Sequence, residues 1–397
     1  MRFVIFCGSL EPGRDGVGDY TRRLGCECIR SGHEVVAVAL NDQYVDRSLV
    51  GIQFMENISM SCLRLPATST WASRIVETRK WLEPFGPEWA SLQFVPFGYQ
   101  SKGLCFGLGK KIRAICPGAR WQIMFHELWL GLGRGSSLKH RLWGTLQKSI
   151  ILDLVGRLNG PVIFTQADPY RQALQRENIN ATLLPLFSNI TYTAGDAWDE
   201  LLAPAMKNAT GAAADRQGLY LAGIFGAVHP EWSAQKTANA LFPLAQRFGR
   251  RLVLVFFGKS HLSPQQLTGL KNALQDQAVV LTLGERTPAE ISRILQTLDL
   301  GLATTPLQVI QKSGTAAAMW AHGLPLLVTR DDWHLAGPDS RPLAPLPQLF
   351  FPEQLVLLNV LPVRDARLAA TNDTATVAQK MIQIMNAAPP PGTPASA

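Results

Sequence analysis

Two groups of residues in this chain have the types and spacing to do chemistry. The first is Lys312-Ser313-Gly314-Thr315, followed by Ala316-Ala317-Ala318-Met319-Trp320-Ala321-His322 and the stop at Gly323. Ser313 is a strong helix N-cap, because its hydroxyl can accept from amides that the first turn leaves unpaired. The alanines favour the helix and Gly323 ends it. The apolar run Leu298–Ala303 precedes this group, so the helix N-terminus falls at the carboxyl end of an expected parallel strand. Open α/β sheets bind ligands at that end, and helix N-termini favour anions. Lys312 adds a full positive charge, and the chemistry on offer is phosphate binding. The same residues would serve equally as a plain cap beside a solvated lysine. The second group is His126-Glu127, which follows the strand-like Trp121–Phe125. A histidine at a strand end can move a proton for a ligand, and it can as readily be a satisfied structural residue.

The elements that must position these groups alternate. Met1–Gly8 reads as a first strand, and the glycine-rich loop from Gly8 to Tyr20 leads into a helix that ends near Gly32-His33. Glu34–Leu40 is a second strand. Trp89–Phe94, Trp121–Phe125 and Pro161–Thr165 are further strands, with helices over 138–156 and 168–177. In the helix 138–156 the stripe Leu138, Leu142, Leu146 and Ile150 is expected to pack on the sheet. The polar, alanine-rich piece 191–217 reads as a linker between a domain over 1–190 and a domain over 218–372. The strand–helix pattern then restarts at Leu219. Strand ends deliver Gly226, Gly258 with Lys259, Gly284 with Glu285 and Arg286, and Lys312 to one edge. A last helix is expected over 373–388 and a flexible tail over 389–397. The fold class is α/β, with two Rossmann-like doubly wound parallel-sheet domains facing a cleft.

Composition bounds the partners. The chain has 397 residues, 47% apolar and 17% charged, enough for two cores and unlike a disordered protein. No apolar run reaches the length of a transmembrane helix and the start does not read as a signal peptide, so a cytoplasmic location is expected. The six cysteines lack metal-site or redox-motif spacing and are expected to be reduced and buried. Residues 1–190 hold 22 Lys/Arg against 15 Asp/Glu, and residues 102–157 hold ten against two. Such an excess asks for an anionic partner, and charge alone does not choose among nucleic acid, a phospholipid surface and an acidic small molecule.

Specific wording narrows the field. Gly16-Val17-Gly18-Asp19-Tyr20-Thr21 with Gly32-His33-Glu34-Val35, Gly284 and its following helix, Asp299-Leu300-Gly301-Leu302, Ala318-Met319 and Gly323-Leu324-Pro325-Leu326 together resemble family 4 glycosyltransferases of the GT-B fold. The resemblance implies retaining transfer of a sugar from a nucleotide-diphosphate sugar, held by the second domain, without a metal or other cofactor. It implies that Gly18 borders the donor phosphate or acceptor and that His126 lies near the donor sugar. Gly16 is a further candidate for substrate binding, and His126, Glu127 and Asp19 are the catalytic candidates. The loop Gly226 to Glu231, which contains His229, together with Lys236, would face the pyrophosphate, and Lys259 is a further candidate for substrate binding. Gly284, Glu285 and Arg286 would pass the base, and Lys312, Ser313, Gly314 and Thr315 would hold phosphate. The acceptor is expected to be lipid-linked or anionic, with peripheral contact at the inner membrane face, and nucleic acid is not an expected partner.

One departure stands out. Such enzymes carry two glutamates separated by seven residues, and the alignment on Gly323-Leu324-Pro325 puts Ile310 and Ala318 there. That leaves a variant donor site around Lys312–Thr315, other carboxylates such as Glu231 or Glu285, or a degenerate binding subunit. A nucleotide-sugar epimerase would want acid and base carboxylates in the second domain. An NAD enzyme fits least, because the glycine spacing differs from the dinucleotide fingerprint.

Overall fold

The computed structural model describes residues 1–259, 262–274, 277–337, 346, 348–368 and 373–389. These form two compact units. The first contains residues 1–185 with 335–337 and 374–389, and the second contains residues 186–334 with 346, 348–368 and 373.

The first unit is built on an eight-stranded sheet in the order β3-β4-β2-β1-β5-β6-β7-β8. The strands are β1 Arg2–Cys7, β2 Glu34–Asp42, β3 Leu49–Met55, β4 Ile58–Pro66, β5 Trp89–Phe94, β6 Arg120–Phe125, β7 Val162–Thr165 and β8 Thr182–Leu183. All pairs are parallel except β3 with β4. The central strands read as unbroken apolar runs because helices cover both faces. Phe3, Val4, Ile5, Phe6 and Cys7 are wholly buried. The helix Thr374–Ala387 belongs to this unit and packs on the first helix, Gly16–Arg30. The expected tail falls, beyond Pro389, outside the described residues.

The second unit carries six strands: β9 Leu219–Phe225, β10 Arg251–Phe257, β11 Ala278–Gly284, β12 Leu300–Ala303, β13 Leu326–Val328 and β14 Leu349–Phe350. They are all parallel, in the order β11-β10-β9-β12-β13-β14. Counted from β9, that is the order 3-2-1-4-5-6 of a doubly wound nucleotide-binding sheet. Alternate residues of β9 feed the two faces, with Leu219 and Leu221 in one core and Tyr220, Ala222 and Ile224 in the other.

Two expectations are corrected. Residues 191–217 are not a bare linker. They carry the turn Trp198–Leu202 and the helix Ala203–Thr210, whose Leu202 and Met206 sit in the core of the second unit. The backbone amide of Ala197 donates to Thr297 Oγ1 at 2.7 Å and fixes this segment there. The leucine stripe of the helix Leu138–Arg157 also faces the other way. Leu138, Leu142 and Leu146 are exposed, while Gly144, Gln147, Ile150, Ile151 and Leu154 make the buried face. Leu130 explains this choice. Its carbonyl lies where a side chain on Gly144 would be, and its amide donates to Gln147 Oε1 at 2.9 Å.

Candidate functional site

In each sheet the direction of winding reverses once, and ligands of open α/β sheets bind at that reversal beyond the carboxyl ends of the strands. In the first unit the reversal lies between β1 and β5. A pocket of about 270 Å³ opens there, with Ser9, Asp15, Asn41, Gln43, Gln93 and Phe97 among its walls. Asp42 stands between the lining residues Asn41 and Gln43 and is itself wholly buried. Its carboxylate accepts from Ser9 Oγ at 3.1 Å, from the Leu10 amide at 3.1 Å and from Arg64 Nε at 2.7 Å. Burial pushes that carboxyl up, but the Arg64 and backbone hydrogen bonds outweigh it and leave Asp42 below its ordinary value.

The glycine loop of this unit is shaped by the chain itself. Asp15 caps the helix Gly16–Arg30, accepting from the amides of Val17 at 2.8 Å and Gly18 at 3.1 Å. Gly18 is needed because a Cβ there would collide with the Ser9 carbonyl, whereas a Cβ on Gly16 would meet open space. Asp19 accepts from the Gly13 amide at 3.0 Å and pairs with Arg22, so it ties down the loop. These three positions are candidates for ligand contact, and the structure gives Gly18 and Asp19 packing and bracing contacts.

His126 lies at the end of β6 and is buried. Its Nε2 meets Gln93 Oε1 at 2.9 Å, and its Nδ1 meets Gln166 Oε1 at 3.3 Å. Gln93 Nε2 donates to Ser91 Oγ at 2.8 Å, and Ser91 Oγ donates to Gln122. The ring of Tyr20 stands edge-on to the imidazole, with centroids 4.8 Å apart. Thus β5, β6 and β7 are stitched together by a buried polar chain with His126 at its centre. Glu127 follows it, half-buried.

In the second unit the reversal lies between β9 and β12, and four strand ends are knit there. Gly226 has φ +79°, and a Cβ on it would sit 2.9 Å from the Thr315 methyl, so the turn after β9 touches the helix Gly314–Ala321. Ser313 caps that helix, accepting from the Ala316 amide at 3.4 Å and from Thr305 Oγ1 at 3.1 Å. Its Oγ also lies 3.0 Å from Thr315 Oγ1, giving a cluster of three hydroxyls beside exposed Gly314. Thr304 Oγ1 receives the His229 amide at 3.3 Å. The His229 imidazole accepts from the Glu231 amide at 3.2 Å. Partial burial first, and then Arg330, hold the His229 pKa below its ordinary value.

Arg330, two residues beyond β13, was not singled out by the sequence. Its guanidinium is buried, and it donates to Thr304 O at 3.2 Å, Glu231 Oε2 at 2.5 Å and Asp332 Oδ2 at 2.8 Å. Glu231 is therefore engaged by an arginine. At the neighbouring strand ends the Gly226 amide donates to Phe257 O and the Gly258 amide to Gly284 O, each at 2.9 Å. Lys236, Lys259 and Glu285 are exposed, and Arg286 and Lys312 are half-buried. Ile310 and Ala318 are wholly buried in the apolar core, so neither position faces a ligand. Among the described residues no group of three His, Cys, Asp or Glu side chains is placed to hold a metal ion.

No protein-family model and no curated sequence matches the chain. Solved structures do. Anabaena HepE in complex with UDP matches with a TM-score of 0.59 at 12% identity, over 98% of this chain and 100% of that one. An E. coli structure described as trehalose-6-phosphate bound with UDP-2-fluoro glucose matches at 0.57 and 10% identity, over 98% and 100%. A putative UDP-N-acetylglucosamine 2-epimerase from Listeria monocytogenes matches at 0.53 and 12%, over 97% and 96%. The likeness runs through both units, and the chain has the GT-B fold.

Proposed function

We propose that this protein moves a sugar from a nucleoside-diphosphate sugar, held by the second unit, to an acceptor received in the pocket of the first. The observation that carries the reading is the full-length likeness to structures that contain UDP or a UDP-sugar. It is supported by the second sheet, whose reversal point presents the start of the helix Gly314–Ala321 beside Thr305, Ser313 and Thr315. In such a transfer the bond from the anomeric carbon to the diphosphate oxygen breaks and a bond from the acceptor oxygen forms. The diphosphate leaves with the bonding electrons and takes up the proton that the acceptor hydroxyl loses. Helix amides with Lys312, Lys259 and Lys236 would offset the charge on that leaving group without a metal. Retention of configuration, a hexosyl donor and a cytoplasmic location belong to the same proposal.

With Ile310 and Ala318 buried and Glu231 held by Arg330, the exposed Glu285 at the end of β11 is our candidate for the carboxylate that meets the donor. The experiment is a thermal-shift panel of nucleotide sugars, followed by measurement of free nucleotide and chromatography of the sugar product. A ligand at about 100 times its dissociation constant stabilises by about 2.7 kcal/mol, which the panel detects. Stabilisation by no nucleotide sugar overturns the reading. Binding without turnover identifies a degenerate binding subunit, and an epimerised donor identifies an epimerase.

A further inference from the structure

The helix Leu138–Arg157 turns a row of leucines to solvent. Leu138 is 72% exposed, Leu142 63% and Leu146 43%, and Leu152 continues the row at 38%. At about 100° per residue, exposed Lys139 and Arg141 fall on either side of this ridge. The helix holds one acidic residue, Asp153, which pairs with Arg157 at 2.6 Å. Half of the ten basic residues between 102 and 157 make inward contacts. Arg113 donates to the Arg157 carbonyl, Arg157 pairs with Asp153, Lys148 pairs with Glu177, and Lys111 and Arg120 lie over tryptophan rings. The rest of the excess includes Lys139 and Arg141, which flank the ridge, and Lys102. The loop carrying Lys102 is fastened to this helix, since Trp143 Nε1 donates to Lys102 O at 2.9 Å. A Cβ on Gly103 would lie 3.2 Å from the Phe97 ring, and it would also collide with Gln147. Phe97 and Phe106 are exposed at 42% and 53%, and Phe97 also lines the pocket at the end of β1.

We propose that this face docks the first unit on an anionic lipid bilayer, with the leucine ridge in the headgroup–acyl boundary and the cations on lipid phosphates. The opposite face of the helix is buried in its own unit, so what it offers solvent is the leucine ridge with its cationic border, a pattern that favours an anionic bilayer surface. Cations on both sides of the ridge match the phosphates of an anionic headgroup layer. Phe97 connects this face to the polar pocket, so the acceptor is a lipid whose polar head enters beside Ser9, Asn41 and Gln93 while its chains stay in the bilayer. The acceptor class rests on the sugar-transfer reading, and the docking does not.

The test is co-sedimentation of the full chain with vesicles of phosphatidylcholine mixed with phosphatidylglycerol, and with phosphatidylcholine alone. Binding is expected to the mixed vesicles only, and it should weaken as salt rises. The double variants Leu138→Ser/Leu142→Ser and Lys139→Glu/Arg141→Glu should each lower the partition at least roughly tenfold with an unchanged melting temperature, because these side chains are exposed. Equal binding to neutral vesicles, or none to mixed vesicles at low salt, overturns the proposal. So does a dimer in solution that the leucine variant splits, which would make the ridge an interface between copies. Nucleotide-sugar stabilisation of the same variants reads the sugar-transfer proposal separately.

Discussion

Arg330 and Glu231 stand 99 residues apart in sequence, and Arg330 Nη2 donates to Glu231 Oε2 at 2.5 Å. The arginine side chain is 5% exposed and the glutamate 67%, so the cation is structural material and the carboxylate is a surface group clasped by it. Arg330→Ala should cost about 1–3 kcal/mol, since it strips a charged hydrogen-bond donor from the Thr304 carbonyl as well as from two carboxylates. Glu231→Gln should cost less than about 1 kcal/mol, as exposed ion pairs do. Urea unfolding of both variants checks the order, and equal costs would contradict it.

The glycines of the first loop should respond with opposite sign. Gly18→Ala places a methyl against the Ser9 carbonyl and should destabilise by about 1–3 kcal/mol, as overpacking does. Gly16→Ala enters open space at the start of a helix and should be neutral or stabilising by up to about 1 kcal/mol. Melting temperatures of the two variants decide this, and a loss at Gly16 would mean that its backbone does more than open a helix.

His126→Ala should destabilise the fold. The substitution leaves Gln93 Oε1 and Gln166 Oε1 facing a buried hole, at about 1–3 kcal/mol. Chemical unfolding measures the loss. An unchanged midpoint with turnover reduced about a hundredfold would instead mark His126 as a catalytic group.

Lys312→Ala should weaken nucleotide-sugar affinity at least about tenfold, through loss of a charge-assisted contact of roughly 1.5–3 kcal/mol. Titration calorimetry reads the affinity, and the melting temperature of the free protein should barely move. Unchanged affinity would remove the phosphate site from the start of the Gly314–Ala321 helix.

His322 gives the second unit an acid-sensitive element. Its Nδ1–H donates to Ala318 O at 2.7 Å and its Nε2 lies 2.8 Å from the Ser292 hydroxyl, so the buried ring is held neutral. Burial is the first cause of its lowered pKa, and nearby Arg364 also lowers it. The folded pKa lies below the unfolded one, so this stability is complete above about pH 6.5 and is lost as pH falls from there towards the folded value. Melting temperature against pH should fall through that window in the native chain and fall less in His322→Gln.

Much of this architecture was legible because buried parallel strands are continuous apolar runs and each ends in glycine or a small polar residue. Leu252–Phe257, followed by Gly258, and Leu300–Ala303, followed by Thr304, announce themselves in this way. The hairpin of β3 and β4 was hidden, because its turn is made by Glu56 and Asn57, both at positive φ, without a glycine. The leucine stripe of 138–157 misled because periodicity reports an apolar face and not which way it points. A backbone carbonyl from Leu130 decided that, by claiming the side that carries Gly144. At the site, glycine turns and the Ser313 cap were readable from local sequence. The commitments of Glu231 and Asp19 were not, because each depends on a partner that only the fold brings near.

The carboxylate of Asp15 at the head of the helix Gly16–Arg30 bears on stoichiometry. The two units share the strand–turn–helix plan, so both could in principle seat a nucleotide. In the first unit the amides of Val17 and Gly18 are already filled by an anion that is covalently part of the chain. A tethered group competes at an effective concentration that a free phosphate in solution does not reach. The helix start in the first unit is therefore already occupied, and titration with a nucleotide should saturate at a single equivalent per chain.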